Sequence, residues 1–160
     1  SFKQHMQGVG EWEFEIMGFG EMLPQFENHV RLDHSKTDQW GIPLLHTSCD
    51  HSNNEIMMLE DIKNSAVEML EVAGLHDIEG YIRPKPPGLC IHEMGTARMG
   101  DNPNDSILNR YNQCHTVDNL FVTDGAAMAS TACQNPSLTY MALTARAVDY
   151  AVNQLKEGQL

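Results

Sequence analysis

The chain has few of the residues that would make its chemistry obvious. Its four cysteines, Cys49, Cys90, Cys114 and Cys133, form no C-x-x-C pair, so neither a zinc ribbon nor a small disulfide scaffold is indicated. They read as buried free thiols, compatible with a reducing compartment. Basic residues are scarce: 10 Lys plus Arg stand against 22 Asp plus Glu, a formal charge of −12. That balance argues against nucleic acid or an anionic membrane as a partner. The longest uncharged run, Gly125 to Ala145, is broken by Gln134, Asn135 and Pro136, so no membrane span is predicted. Also missing is a Gly-x-Gly-x-x-Gly loop: Gly8-Val9-Gly10 and Gly18-Phe19-Gly20 lack the third glycine and precede no helical pattern. No signal-peptide or lipidation pattern opens the chain, and a start at Ser1 reads as a segment of something longer.

The residues present suit one globular domain. Hydrophobic residues are 41% and charged residues 20% of the 160, a length that buries roughly two thirds of the unfolded surface. Glu11-Trp12-Glu13-Phe14-Glu15-Ile16 alternates charge with apolar bulk and predicts a strand. His29 to Leu32 and Ile42 to Leu45 are two more short strands, most simply an antiparallel pair across the polar turn from Asp33 to Gly41. Ser52-Asn53-Asn54-Glu55 has the form of a capping box, with Ile56, Leu59, Ile62, Ala66, Leu70 and Ala73 at helical spacing and Gly74 as the stop. Tyr81 to Arg83 reads as a strand, and Pro84 to Gly88 as a stiff connector. Asn119 to Thr123 is the best buried-strand candidate of the second half. A final helix from about Pro136 to Lys156, capped by Asn135, carries the stripe Leu138, Met141, Ala142, Ala145, Val148, Val152 and Leu155. The fold class expected is α+β: an antiparallel sheet with the helix of about Ser52 to Ala73 on one face, and the final helix packed by its stripe.

The most unusual segment is His92-Glu93-Met94-Gly95-Thr96-Ala97-Arg98-Met99-Gly100. A zinc-protease reading fails, because the second histidine it needs is Thr96 and Gly95 weakens the helix. Taken singly, each candidate has an ordinary explanation. His92 is a histidine in a glycine-rich loop, Asn135 before Pro136 is a helix start, and Asp124-Gly125 is a turn.

Taken together they resemble a family. His92-x-x-Gly95-Thr96-x-x-Met99-Gly100, then Asn119-Leu120-Phe121-Val122-Thr123-Asp124-Gly125, then Asn135-Pro136-x-x-Thr139 opening an Ala-rich helix is similar to the C-terminal part of glucose–methanol–choline (GMC) flavoprotein oxidoreductases. Leu23-Pro24, Asn28 to Leu32 and Asp38 to Pro43 also look like that family's substrate-domain strands.

The resemblance implies an FAD-dependent enzyme oxidising a CH–OH group of an alcohol, sugar or polyol, with His92 as base and Asn135 as the hydrogen-bonding partner, converging with the alcohol between them. Imidazole has a suitable pKa without large tuning, and an amide NH₂ can steady a nascent alkoxide. Asp124, Gly125, Asn135, Pro136 and Ser137 are implied as cofactor-binding, the last three through the positive end of the final helix. Residues 1–118 would be part of the substrate-binding domain, and residues 119–160 a strand and helix completing the FAD domain, whose Rossmann portion lies upstream and is absent here. The implied partners are a small-molecule alcohol or sugar, that upstream FAD domain, and an electron-acceptor subunit or quinone, with a homo-oligomer as a candidate state of the segment itself. Without the glycine-rich loop, this chain alone is expected to hold no FAD and to be inactive. His92 and Asn135 are then expected on an open surface, with a separation that can exceed the roughly 5–7 Å set by one shared oxygen.

Three other readings compete. His46-x-x-Cys49-x-His51 with His92 supplies metal-ligand types. Cys133 with His92 and Asn135 supplies the residue types of a cysteine nucleophile site. The charge of −12 is compatible with a non-catalytic acidic interaction domain.

Overall fold

Two strands form the only sheet among the described residues. β1 (His29–Thr37) and β2 (Pro43–Ser48) pair antiparallel, His29 opposite Ser48 and Leu32 opposite Leu45, with an irregularity between Asp33 and Thr37. The computed structural model describes residues 2–8, 10, 12–82, 86–89 and 91–160, with the backbone alone at His5. Asp38 closes the connection: its carboxylate accepts from the amides of Trp40 and Ile42 at 2.8 and 2.9 Å, and Gly41 takes φ +82°, which glycine adopts at little cost. The pairing is as expected, and β1 runs five residues further into the predicted turn.

The other expected strands do not form. Residues 12–16, with Tyr81 and Ile82, lie outside any strand, while Glu11, Arg83, Pro84 and Lys85 fall outside the described residues. Trp12 is 75% exposed. Alternation prepares an amphipathic face, but a strand needs a neighbour to take its backbone bonds.

A four-residue α1 (Phe2–His5) precedes the sheet, and α2 (Asn53–Val72) follows it. The capping box is complete: Ser52 accepts from the Asn54 amide, and the Glu55 carboxylate accepts from the Ser52 amide at 2.7 Å and from its hydroxyl. The buried Glu55 carboxylate also takes the Leu23 amide at 3.1 Å, which ties the extended approach to β1 onto the helix. The Ser52 hydroxyl first, then the Leu23 amide, hold the Glu55 carboxyl down at about 2. At the far end Gly74 (φ +80°) donates to Glu71 and Leu75 donates to Leu70, the Schellman pattern that glycine permits. The α+β class is as expected; among the described residues most of β1 and β2 is exposed, with no more than slight contact between the sheet and α2. Its cover is extended backbone. Gly18 rests on Ile62, Gly20 on Met58 and Gly80 on Val67, each so close that a Cβ would fall within 3 Å.

The core sits in the second half, where Leu108, Cys114 and Ala127 are buried and Ala97, Met99 and Val122 pack around them. Its segments are joined by scattered backbone bonds, among them Ala97 to Ala126, Gly100 to Leu108, Cys114 to Leu120 and Val122 to Asn112. Asn119 to Thr123 is therefore not a strand: it carries one isolated bridge, Phe121 with Gln113. Asn112 is fully buried at φ +64°.

α3 (Ser137–Lys156) is present but turned from its expected orientation. It packs through Tyr140, Leu143, Thr144, Ala147, Tyr150 and Ala151, while Leu138 and Met141 are 78% and 68% exposed. Tyr150 stacks on Tyr111 at 4.1 Å, and Arg146 donates to the Asn112 Oδ1 at 3.1 Å. These contacts fix the helix rotation, and the more apolar stripe is left outside.

Candidate active site

His92 and Asn135 lie 43 positions apart and their side chains touch: His92 Nε2 is 2.9 Å from Asn135 Oδ1. An amide oxygen only accepts, so in this contact the imidazole carries its proton on Nε2 and donates it. Asn135 is exposed and His92 half-buried. The expected wider gap is thus not seen, because packing within this chain already brings the two segments together.

Three features place the pair. The His92 segment hangs on the turn that follows Thr123: the Ala97 amide donates to Ala126 O and the Met99 amide to Ala127 O, both at 2.9 Å. That turn is a short 3₁₀ helix, Gly125–Ala127, capped by the Asp124 carboxylate on the Ala126 amide at 2.9 Å. Finally, the Tyr140 hydroxyl donates to Met94 Sδ at 3.7 Å, joining α3 to the residue two places after His92.

The predicted capping role of Asn135 is not observed. Pro136 is the N-cap of α3 and supplies no side-chain bond, and Asn135 lies one residue earlier with its side chain on His92. The first-turn amides of α3 are therefore uncapped at an exposed end beside His92, where Ser137 is exposed and Pro136 buried. Such a donor set fits an acceptor group of a flavin. Asp124 and Gly125 are placed differently. The amides of Ala126, Ala127 and Met128 are engaged inside the turn, and Gly125 is buried against Glu93, Met94 and Tyr140.

The metal reading finds no support in the residues it needs. Burial pushes the Cys49 thiol up, with Asp50 and Glu93 adding to it, the reverse of what a thiolate ligand needs. Among the described residues no group of three or more His, Cys, Asp or Glu could hold a metal. Cys133 is an exposed free thiol, Cys114 a buried one, Cys49 half-buried, and Cys90 lies outside the described residues. Among the described residues no helix is long and apolar enough to cross a membrane.

Comparison with known proteins bears on the family that the three sequence blocks resemble: a profile described as GMC oxidoreductase matches residues 24–144. The chain belongs to the GMC oxidoreductase family. A 2-methyl-1,2-propanediol dehydrogenase of Mycolicibacterium austroafricanum is 37% identical over 137 residues, 84% of this chain and 24% of that protein. A fructose dehydrogenase large subunit of Gluconobacter japonicus is 30% identical, over 90% of this chain and 26% of its own length. A pyranose 2-oxidase of Tricholoma matsutake is 28% identical, over 74% and 21% respectively. The chain thus spans about a quarter of the GMC relatives it matches.

Sequence reasoning missed Met94, Tyr140 and the buried Asn112. Tyr140 is the lone aromatic of the first turns of α3, a signal that was there to read. Asn112 sits in the turn Asn109-Arg110-Tyr111-Asn112, where asparagine suits a left-handed backbone.

Proposed function

We propose that the chain is the C-terminal part of an FAD-dependent oxidoreductase that converts a CH–OH group of an alcohol, sugar or polyol into a carbonyl, with His92 as the base and Asn135 as its partner. The observation that carries this reading is the 2.9 Å contact between His92 Nε2 and Asn135 Oδ1 beside the uncapped start of α3.

The contact as it stands leaves no room for a substrate oxygen, and Nε2 already bears a proton. An alcohol enters by replacing the His92–Asn135 bond with two of its own. The imidazole then presents the bare Nε2 to the hydroxyl, its remaining proton on Nδ1, and Asn135 turns its NH₂ toward the same oxygen. As the C–H bond breaks, the hydroxyl proton passes to Nε2 and the carbonyl forms on the carbon that loses hydride. FAD, when bound, supplies the hydride acceptor. His92 takes the proton near neutral pH, and the Asn135 amide holds the oxygen while negative charge gathers there.

The start of α3 from Asn135 to Ser137 is the part of this chain that we assign to the cofactor. Residues 119–160 complete the FAD domain in this reading, and residues 1–118 belong to the substrate domain. The exposed stripe of α3 and the fraction of the relatives covered support that division. In the longer protein, His92→Ala retains flavin absorbance and lowers alcohol oxidation by about 10² to 10⁴. Oxidation by His92→Ala at the parent rate refutes the role of His92.

A further inference from the structure

The His92–Asn135 contact is a single hydrogen bond between half-buried and exposed groups, too weak to fix the spacing of two chain segments by itself. The backbone also works against it. Ile91, the residue before His92, has φ +63°, a left-handed conformation that a β-branched side chain adopts only under constraint. A constraint lies on the other side of His92. Gly125 is the point where both segments meet. A Cβ there would come within 2.8 Å of Glu93 O, 2.9 Å of Met94 Sδ and 2.9 Å of the Tyr140 hydroxyl. The first two atoms belong to the His92 segment and the third to the first turn of α3, five residues after Asn135. Tyr140 Oη and Met94 Sδ are themselves hydrogen-bonded.

We propose that Tyr140 is a positioning residue: through Met94, and over the bare Cα of Gly125, it holds His92 in reach of Asn135 against the strain at Ile91. The inference rests on the reading of His92 and Asn135 as the alcohol-binding pair, but its geometry can be tested without activity. It predicts that the spacing depends on the hydroxyl of a residue whose own hydrogen bonds run to Met94, Pro136 and Thr144 and not to the pair.

The experiment uses the 160-residue chain labelled with ¹⁵N and ¹³C and follows the nuclear Overhauser contact between the His92 ring and the Asn135 side-chain amide. Unmoved resonances of Asn112 and Val122 report that the core is intact. Tyr140→Phe, which removes one oxygen, weakens the contact at least threefold. Gly125→Ala, which forces the Glu93 carbonyl away, abolishes it. Ile91→Gly added to Tyr140→Phe restores it, because glycine carries no penalty at that φ; a merely structural tyrosine would not respond in this way. Parental contact in Tyr140→Phe overturns the proposal even if Gly125→Ala proves too disruptive to fold, and so does a loss that Ile91→Gly leaves uncorrected. Full alcohol oxidation by His92→Ala refutes the catalytic reading and leaves these spectra as they are, so the two failures are told apart.

Discussion

Replacing Asn112 with alanine tests whether the second half of the chain is held together as described. Its side-chain NH₂ donates to Val122 O at 2.9 Å, its Oδ1 accepts from Arg146, and its own carbonyl takes the Val122 amide at 3.0 Å. It is fully buried and sits at φ +64°. Alanine keeps the backbone bond and loses the other two. Losing the Val122 partner costs about 1 kcal/mol, and losing the Arg146 bond costs about 0.5 kcal/mol because that exposed side chain returns to water. Holding alanine in the left-handed region adds about 1 kcal/mol. The sum is about 2.5 kcal/mol, a large share of a stability that for such a domain is on the order of 5–15 kcal/mol. Glycine at the same position loses the same bonds without the backbone penalty, so Asn112→Gly falls about 1 kcal/mol short of Asn112→Ala. Urea unfolding supplies the number. Trp12 and Trp40, both 75% exposed, are poor reporters; near-ultraviolet circular dichroism of the stacked Tyr111 and Tyr150 reads the region directly. A loss below about 0.5 kcal/mol for alanine, or a glycine variant less stable than the alanine one, refutes the account of Asn112.

Glu55, held at about 2 in the folded chain against an ordinary value of 4.5, stabilises the fold above its unfolded pKa; this contribution is lost as pH falls from about 5 towards 2, and Glu55→Gln removes that part of the pH dependence in acid unfolding curves. Asn135→Ala in the longer protein slows alcohol oxidation by about 10² and leaves the far-ultraviolet helix signal unchanged, since Asn135 caps nothing; a fall in helix content refutes that geometry. FAD added to the 160-residue chain shows no micromolar quenching of flavin fluorescence, because one uncapped helix end offers too few contacts to offset the ordering of a dinucleotide; micromolar binding shows that more of the site is present.

The family was legible in the chain because the resemblance rests on local patterns. The family blocks around His92, Asp124 and Asn135 are short strings whose order and spacing need no three-dimensional arrangement to be recognised. The capping box at Ser52 and Glu55, and the stop at Gly74, were equally readable, since a helix end is satisfied by residues three or four positions away. The hairpin of β1 and β2 followed from two apolar runs and one polar turn. Contacts across the chain were not legible. The alternating run at Trp12 and the apolar run at Phe121 were both expected as strands and found no continuous partner, because pairing is decided by a neighbour's register and not by the strand's own composition. The rotation of α3 was set by Tyr150 on Tyr111 and Arg146 on Asn112, so its most apolar stripe faced outward. The direct approach of His92 to Asn135 was likewise decided by tertiary packing, where Met94 and Tyr140 close over a glycine that has no side chain to keep them apart.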